Sequence, residues 1–195
     1  MYAFCKPSRI RLWCTLLTGV LLMRASLAPA EVLPREILFN VVNDGSLVRV
    51  AASADLPADA STAWAVLTGY EDYPKFITGL SESRVVGRKA DGVVIEQKGE
   101  LGVLFFRRSI RTRMLVSEVP PVAVVSRGID GSFKDLAGRY ELQPVAGGVR
   151  LTYSGSFVPD FYLPPVVGMA LVRHFLERNF AELAAEIVRR SAGRQ

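Results

Sequence analysis

Between Pro164 and Arg190, apolar residues recur at Met169, Val172, Leu176, Phe180, Leu183 and Ile187. Steps of three and four put them on one face of an α-helix. Phe175, Ala184 and Val188 widen that stripe beyond a coiled-coil seam, and Pro164-Pro165 suit a first helical turn, where a missing N–H costs nothing. The opposite face carries Arg173, Glu177, Arg178, Glu182, Glu186 and Arg190, so Arg173/Glu177, Arg178/Glu182 and Glu186/Arg190 fall at ion-pair spacing. A helix of this length would run roughly 40 Å, the full width of a small domain. Whatever precedes it must supply one broad apolar surface.

The preceding sequence supplies that surface as β-strands. Val48, Val50 and Ala52 alternate with polar or small residues in a strand running to about Leu56, and Asp59 is a good N-cap for a helix over 60–68. Gly69 stops that helix, and a second short one is expected over 73–77, with Pro74 near its start. Strands follow over 84–89, 93–101, 105–119, 122–129, 134–143 and 149–157, joined by turn signals such as Ala90-Asp91-Gly92, Pro120-Pro121 and Ala146-Gly147-Gly148. The segment 31–45 reads as a lead-in that could include an edge strand through 37–42 and closes at Asn43-Asp44-Gly45. The expected order is a strand, two short helices, about six further strands and one long helix.

The first thirty residues read as an address rather than as structure. Lys6, Arg9 and Arg11 precede an apolar run from Leu12 to Met23, and Ala28-Pro29-Ala30 offers small residues for a peptidase, so cleavage is expected after Ala30. The other reading is a membrane anchor, but Arg24 ends the run well short of the ~20 residues a span needs. Lipid attachment at Cys14 is not expected, because the bulky Trp13 precedes it. Lys6, Arg9, Arg11 and Arg24 would leave with this peptide and no acid would, bringing 24 basic and 19 acidic residues close to balance. The basic pI therefore argues for no nucleic-acid partner. Cys5 and Cys14 leave as well, so the mature chain is expected to be periplasmic or secreted yet without disulfides.

Particular residues on this framework resemble the START-like superfamily of polyketide cyclase/dehydrase and lipid-transport proteins. They are Ala58-Asp59 with Trp64-Ala65-Val66-Leu67, the run from Leu67 to Phe76, Ser83-Arg84-Val85-Val86, Gly138-Arg139-Tyr140-Glu141-Leu142, and Gly147-Gly148-Val149-Arg150-Leu151-Thr152-Tyr153. The look is closest to the coenzyme Q-binding branch, with departures at Gly69 and Thr78, where many relatives carry Asp and Pro. The resemblance implies an α+β helix-grip domain over residues 46–191. A curved antiparallel sheet of about seven strands would wrap the long helix, with two short helices after the first strand closing one end of a cavity.

Chemistry-bearing residues are scarce. His174 is the one histidine and falls off the apolar stripe, so it reads as a solvated side chain, and no metal site or cofactor is expected. There is no phosphate-cradling glycine loop and no nucleophile elbow, and Ser154-Gly155-Ser156 reads as the wet face of a strand. The expected cavity residues are Trp64, Phe76, Gln97, Arg108, Thr112, Met114, Tyr140, Tyr153 and Phe180. Trp64, Phe76, Met114 and Phe180 are lining or plain core, and Tyr140 and Tyr153 either present hydroxyls to a ligand or carry them to the rim. Arg108 shares a strand face with Phe106, Ile110, Met114 and Val116. It either holds a polar ligand group inside or reaches a carboxylate or water along its stem. The Arg107/Arg111/Arg113 run reads as a solvated face that could dock on anionic lipid. The function expected is non-catalytic binding or transport of a hydrophobic small molecule, a lipid or isoprenoid quinone, with transient membrane contact. The alternative is an aromatase/cyclase-like enzyme acting on a polyketide-like or aromatic substrate.

Overall fold

A computed structural model describes residues 36–103, 106–163 and 168–193. The expected signal peptide, Pro164-Pro165 and the Phe106 side chain lie outside the described residues. The described residues form one antiparallel sheet of eight strands in the order β1-β2-β8-β7-β6-β5-β4-β3. The strands are β1 (Leu38–Asp44), β2 (Leu47–Leu56), β3 (Leu80–Lys89), β4 (Gly92–Val103), β5 (Phe106–Val119), β6 (Ala123–Gly131), β7 (Phe133–Val145) and β8 (Gly148–Pro159). Helix α1 (Ala60–Thr68) and a 3-10 helix (Tyr70–Lys75) follow β2, and α2 (Gly168–Ala192) closes the chain.

Eight strands replace the expected seven because the lead-in pairs along its length with β2, from Leu38↔Ser53 to Asp44↔Leu47, with the turn at Gly45 in the left-handed region (φ 64°). The two small helices therefore follow the second strand. The second of them is a 3-10 helix that starts directly after Gly69, earlier than the proline signal indicated.

Helix α2 packs along the concave face. Its 25 residues make it roughly 37 Å long. Phe180, Leu183, Ala184 and Ile187 are at most 2% exposed, among Leu56, Val66, Leu67, Ile95, Val149 and Leu151. A second cluster, under the N-terminal half of α2, joins Leu171 and Val172 to Val48, Val50, Leu101 and Phe157. Each large side chain withdrawn from water contributes roughly 1.5–3 kcal/mol, so the helix and the sheet depend on one another.

The three expected ion pairs form, at 3.8 Å for Arg173/Glu177, 3.9 Å for Arg178/Glu182 and 2.6 Å for Glu186/Arg190. Glu186 departs from the surface expectation: it is 7% exposed and is gripped by both Arg189 and Arg190. The small helices lie over this end of α2. The Asp59 carboxylate accepts from the Thr62 N–H (2.7 Å), caps α1, and also accepts from the Ser191 hydroxyl of α2 (3.3 Å). Hydrogen bonds from Ser61 and Thr62 hold that carboxyl well below the usual range.

On the convex face Glu96 sits in register between Arg84 and Arg113. It accepts from Arg113 (2.7 Å) and Arg111 (3.0 Å), and hydrogen bonds from Arg111 and Arg113 bring its pKa down to about 2. Arg107 pairs with Glu100 at 3.2 Å. The basic run is thus largely committed within the sheet.

Two outcomes are expected. Ile187→Ala should cost about 2–5 kcal/mol in urea unfolding, since its side chain is fully enclosed; a loss under about 1 kcal/mol would mean that α2 is not the core's filler. Glu96's folded pKa is depressed from 4.5. Its stabilisation is therefore complete above its unfolded pKa and is lost as pH falls toward 2. Glu96→Gln should flatten the fall in stability across that window, and an unchanged slope in unfolding at stepped pH would show the network to be inert.

Candidate functional site

One helix cannot fill the whole concavity, and two chambers remain between α2 and the sheet. The first, of about 200 Å³, lies beneath the 3-10 helix. Tyr70, Tyr73 and Ile77 come from that helix and its loop, Gln97, Met114, Tyr140 and Tyr153 from the strands, and Asn179 and Leu183 from α2. The second, of about 160 Å³, lies toward the N-terminal half of α2, among Leu101, Ile110, Phe133, Phe157, Val172 and Phe175. Gln97, Met114, Leu136 and Tyr153 are common to both walls. Taken together the chambers reach the low end of the ~300–1,000 Å³ usual for small-molecule sites.

The walls carry no charge: among the described residues no Asp, Glu, Lys, Arg or His lines either chamber. The polar groups are tyrosines, amides and hydroxyls. Tyr70 donates to Glu118 Oε1 (2.7 Å) and Tyr73 to the Leu67 carbonyl (2.8 Å), so both hydroxyls are used by the protein. The rings of Tyr140 and Tyr153, directly paired across β7 and β8, lie 4.6 Å apart, and neither hydroxyl has a hydrogen-bond partner among the described residues. Burial pushes the Tyr140 hydroxyl well above its ordinary pKa and that of Tyr153 up to about 12, so both stay protonated. Gln97 donates to Ser83 Oγ at 3.2 Å, while Asn179 Oδ1 is buried with no partner.

Glycines make room for the Tyr153 ring. A Cβ on Gly155 would sit 2.4 Å from the Tyr153 hydroxyl oxygen, and one on Gly138 would sit 3.2 Å from it. The phenol therefore lies flat over two bare backbone positions.

The structure brings Gln97, Thr112, Met114, Tyr140 and Tyr153 to the chamber walls. It places the other four expected residues elsewhere. Trp64 is half-buried against the core, Phe180 is 2% exposed within it, and Phe76 packs edge-on to Tyr73 and is not among the residues lining either chamber. Arg108 corrects the interior reading. Its cross-strand neighbour is Leu101, so it does lie on the concave side, but near the start of β5. Its exposed guanidinium is 5.5 Å from the Phe161 ring centre, carried outward along the stem. His174 is exposed, as expected. Tyr70, Tyr73 and Asn179 were not singled out from sequence; Asn179 had a signal, being a polar residue beside Phe180 within the apolar stripe.

The 3-10 helix is latched to α2. The Thr78 N–H donates to Glu182 Oε2 (2.7 Å), and Arg190 reaches Asp72 (3.4 Å) while its guanidinium lies 5.9 Å from the Phe76 ring. Among the described residues there is no cluster of metal-ligating side chains, and no helix is long and apolar enough to cross a membrane.

A curved antiparallel sheet gripping one long helix around a residual cavity defines a START-like helix-grip domain. The chain belongs to the polyketide cyclase / dehydrase and lipid transport family, whose model matches residues 48–192. Similar solved structures include a START superfamily protein from Mycobacterium smegmatis, at 17% identity, covering 75% of this chain and 99% of that one with a TM-score of 0.57. The Zhui aromatase/cyclase from Streptomyces sp. R1128 is 14% identical over 72% of this chain and 92% of that one, TM-score 0.58. A STAR-related lipid transfer protein from Xanthomonas axonopodis is 12% identical over 76% and 98%, TM-score 0.57. At these identities the likeness speaks for the fold alone. No curated protein matches the sequence at a significant level.

Gly155→Ala should displace the Tyr153 ring into the cavity, at a cost of about 1–3 kcal/mol. A crystal structure of the variant checks this; an unmoved ring with unchanged stability would mean that the glycine floor is not what positions it.

Proposed function

We propose that this protein is an exported, non-catalytic carrier that holds a hydrophobic small molecule, a lipid or isoprenoid quinone, in the space between α2 and the sheet. The N-terminal thirty residues act as the export signal in this reading, and the sequence's resemblance to the coenzyme Q-binding branch of the superfamily is what suggests a quinone. The observation that carries it is the cavity wall: apolar side chains with a few uncharged polar groups and, among the described residues, no acidic or basic side chain. A general acid or base works best with a pKa near the operating pH. Burial holds the Tyr140 and Tyr153 hydroxyls far above neutrality, which suits hydrogen bonding better than proton transfer. Loading from a membrane surface would require the 3-10 helix to swing away, breaking the contacts of Thr78 and Asp72 with α2.

The second reading, an aromatase/cyclase acting on a polyketide-like substrate, is favoured by the likeness to such an enzyme and by four tyrosines around one chamber. Export weighs against it, because such substrates are normally made on cytoplasmic carriers.

Native mass spectrometry of the exported protein, followed by organic extraction, separates these readings. A co-purified lipid or quinone at unit stoichiometry is the expected result. A protein that stays empty after incubation with mixed lipids and quinones would overturn the carrier reading.

A further inference from the structure

Two hydroxyls on the sheet side of the first chamber have no protein partner and are not sealed away from it. Tyr140 and Tyr153 stand opposite one another on β7 and β8, in the middle of the sheet, and both line the chamber. Neither phenol makes a hydrogen bond among the described residues, and both side chains are only partly buried. The polar side-chain atoms that are enclosed without a partner are Arg113 Nε, Arg178 Nε and Asn179 Oδ1, and the two phenol oxygens are not among them. Tyr70 and Tyr73 line the same chamber, but their hydrogens go to Glu118 and to the Leu67 carbonyl. Tyr140 and Tyr153 are therefore the tyrosines with hydrogens left to give. The second chamber continues past Tyr153 among Leu101, Ile110, Phe157, Val172, Phe175 and Leu176. Among the described residues neither wall has an acidic or basic side chain, and Arg108 is carried outward. An ionised head would thus be buried there without a counter-ion, at a large cost.

Resting on the carrier reading above, we infer that the guest's polar end is an uncharged hydrogen-bond acceptor, a carbonyl of the ketone, ester or oxidised quinone kind. Its oxygen has two lone pairs and takes the hydrogens of Tyr140 and Tyr153. Its apolar chain passes Met114 and Leu136, which belong to both walls, into the second chamber. Each such hydrogen bond contributes about 0.5–1.5 kcal/mol net. A purely apolar guest leaves both phenols without a partner. A carboxylate accepts equally well, but it gives up its hydration in a wall that offers no cation in return.

The test is calorimetric titration of the delipidated protein with three probes of one chain length: 2-dodecanone, dodecanoate at pH 8, and dodecane presented in cyclodextrin. The double variant Tyr140→Phe/Tyr153→Phe should weaken 2-dodecanone about fivefold to a hundredfold, the worth of two hydrogen bonds, and leave the dodecane affinity in place. Dodecanoate should bind the unaltered protein at least about a hundredfold more weakly than the ketone. Infrared spectroscopy of bound 2-dodecanone needs only the unaltered protein: its carbonyl stretch should fall below the frequency it has in hydrocarbon solvent. A stretch that stays at the hydrocarbon value, a variant that loses ketone and dodecane affinity equally, or dodecanoate binding as tightly as the ketone would each overturn the inference while leaving a carrier of another ligand class. No binding of any of the three would count against the carrier reading itself.

Discussion

The structure depends on one mutual burial, that of α2 against the concave face of the sheet. Eight strands with alternating faces present more apolar surface than a sheet can hide by itself, and α2 has a stripe wide enough to receive it. Ile187 and Ala184 are fully enclosed where the contact is tightest, at the end covered by α1. Beneath the 3-10 helix, and beside Val172, Phe175 and Leu176 of α2, part of the space between helix and sheet is left unfilled. The unfilled remainder is the cavity, so the interaction that holds the fold together also leaves the space that a ligand would use.

The second-order contacts all concern one end of that helix. Asp59, Asp72, Phe76 and Thr78, on or beside the small helices, each meet a side chain in the C-terminal half of α2. Most of these are exposed or partly exposed polar contacts, worth little individually. Such contacts would suit the opening that the proposed loading step requires, because the energy to release them is small beside the burial that keeps α2 in place. On the convex face the cations gather around Glu96, which ties β3, β4 and β5 together without touching the cavity.

Much of the architecture was legible in sequence because it rests on period. The step of three and four from Met169 to Ile187 and the alternation in β2, β5 and β8 report burial directly, and the turn residues mark where the chain reverses. The eighth strand was harder to read: burial alternates along β1, with Phe39 and Val41 turned toward the core, but the outward Leu38 and Val42 are apolar too and stay 62% and 48% exposed, so the residue types do not alternate with it. The site was legible where it followed strand parity: Gln97, Thr112, Met114, Tyr140 and Tyr153 face inward as their alternation requires. Parity says which side of a sheet a residue takes and nothing about how far along it the rim begins. Arg108 therefore lies on the expected side and still reaches solvent. Phe180 and Phe76 show the complementary limit: apolar periodicity identifies what is buried but does not separate a filled core from the wall of a hole. The chamber beneath the 3-10 helix depended on Tyr70 and Tyr73, whose positions come from a helix that begins right after Gly69 and has no periodic signal of its own.

If the space between α2 and the sheet is a ligand chamber rather than a packing defect, the protein as purified holds a guest there. The most direct measurement is a high-resolution crystal structure of the protein as purified, read for density between Asn179 and the Tyr140–Tyr153 pair. Continuous, elongated density running from those groups past Met114 toward Phe175 is the expected result. A chamber closed by shifted side chains, with Tyr153 and Asn179 bonded to protein groups, would contradict it.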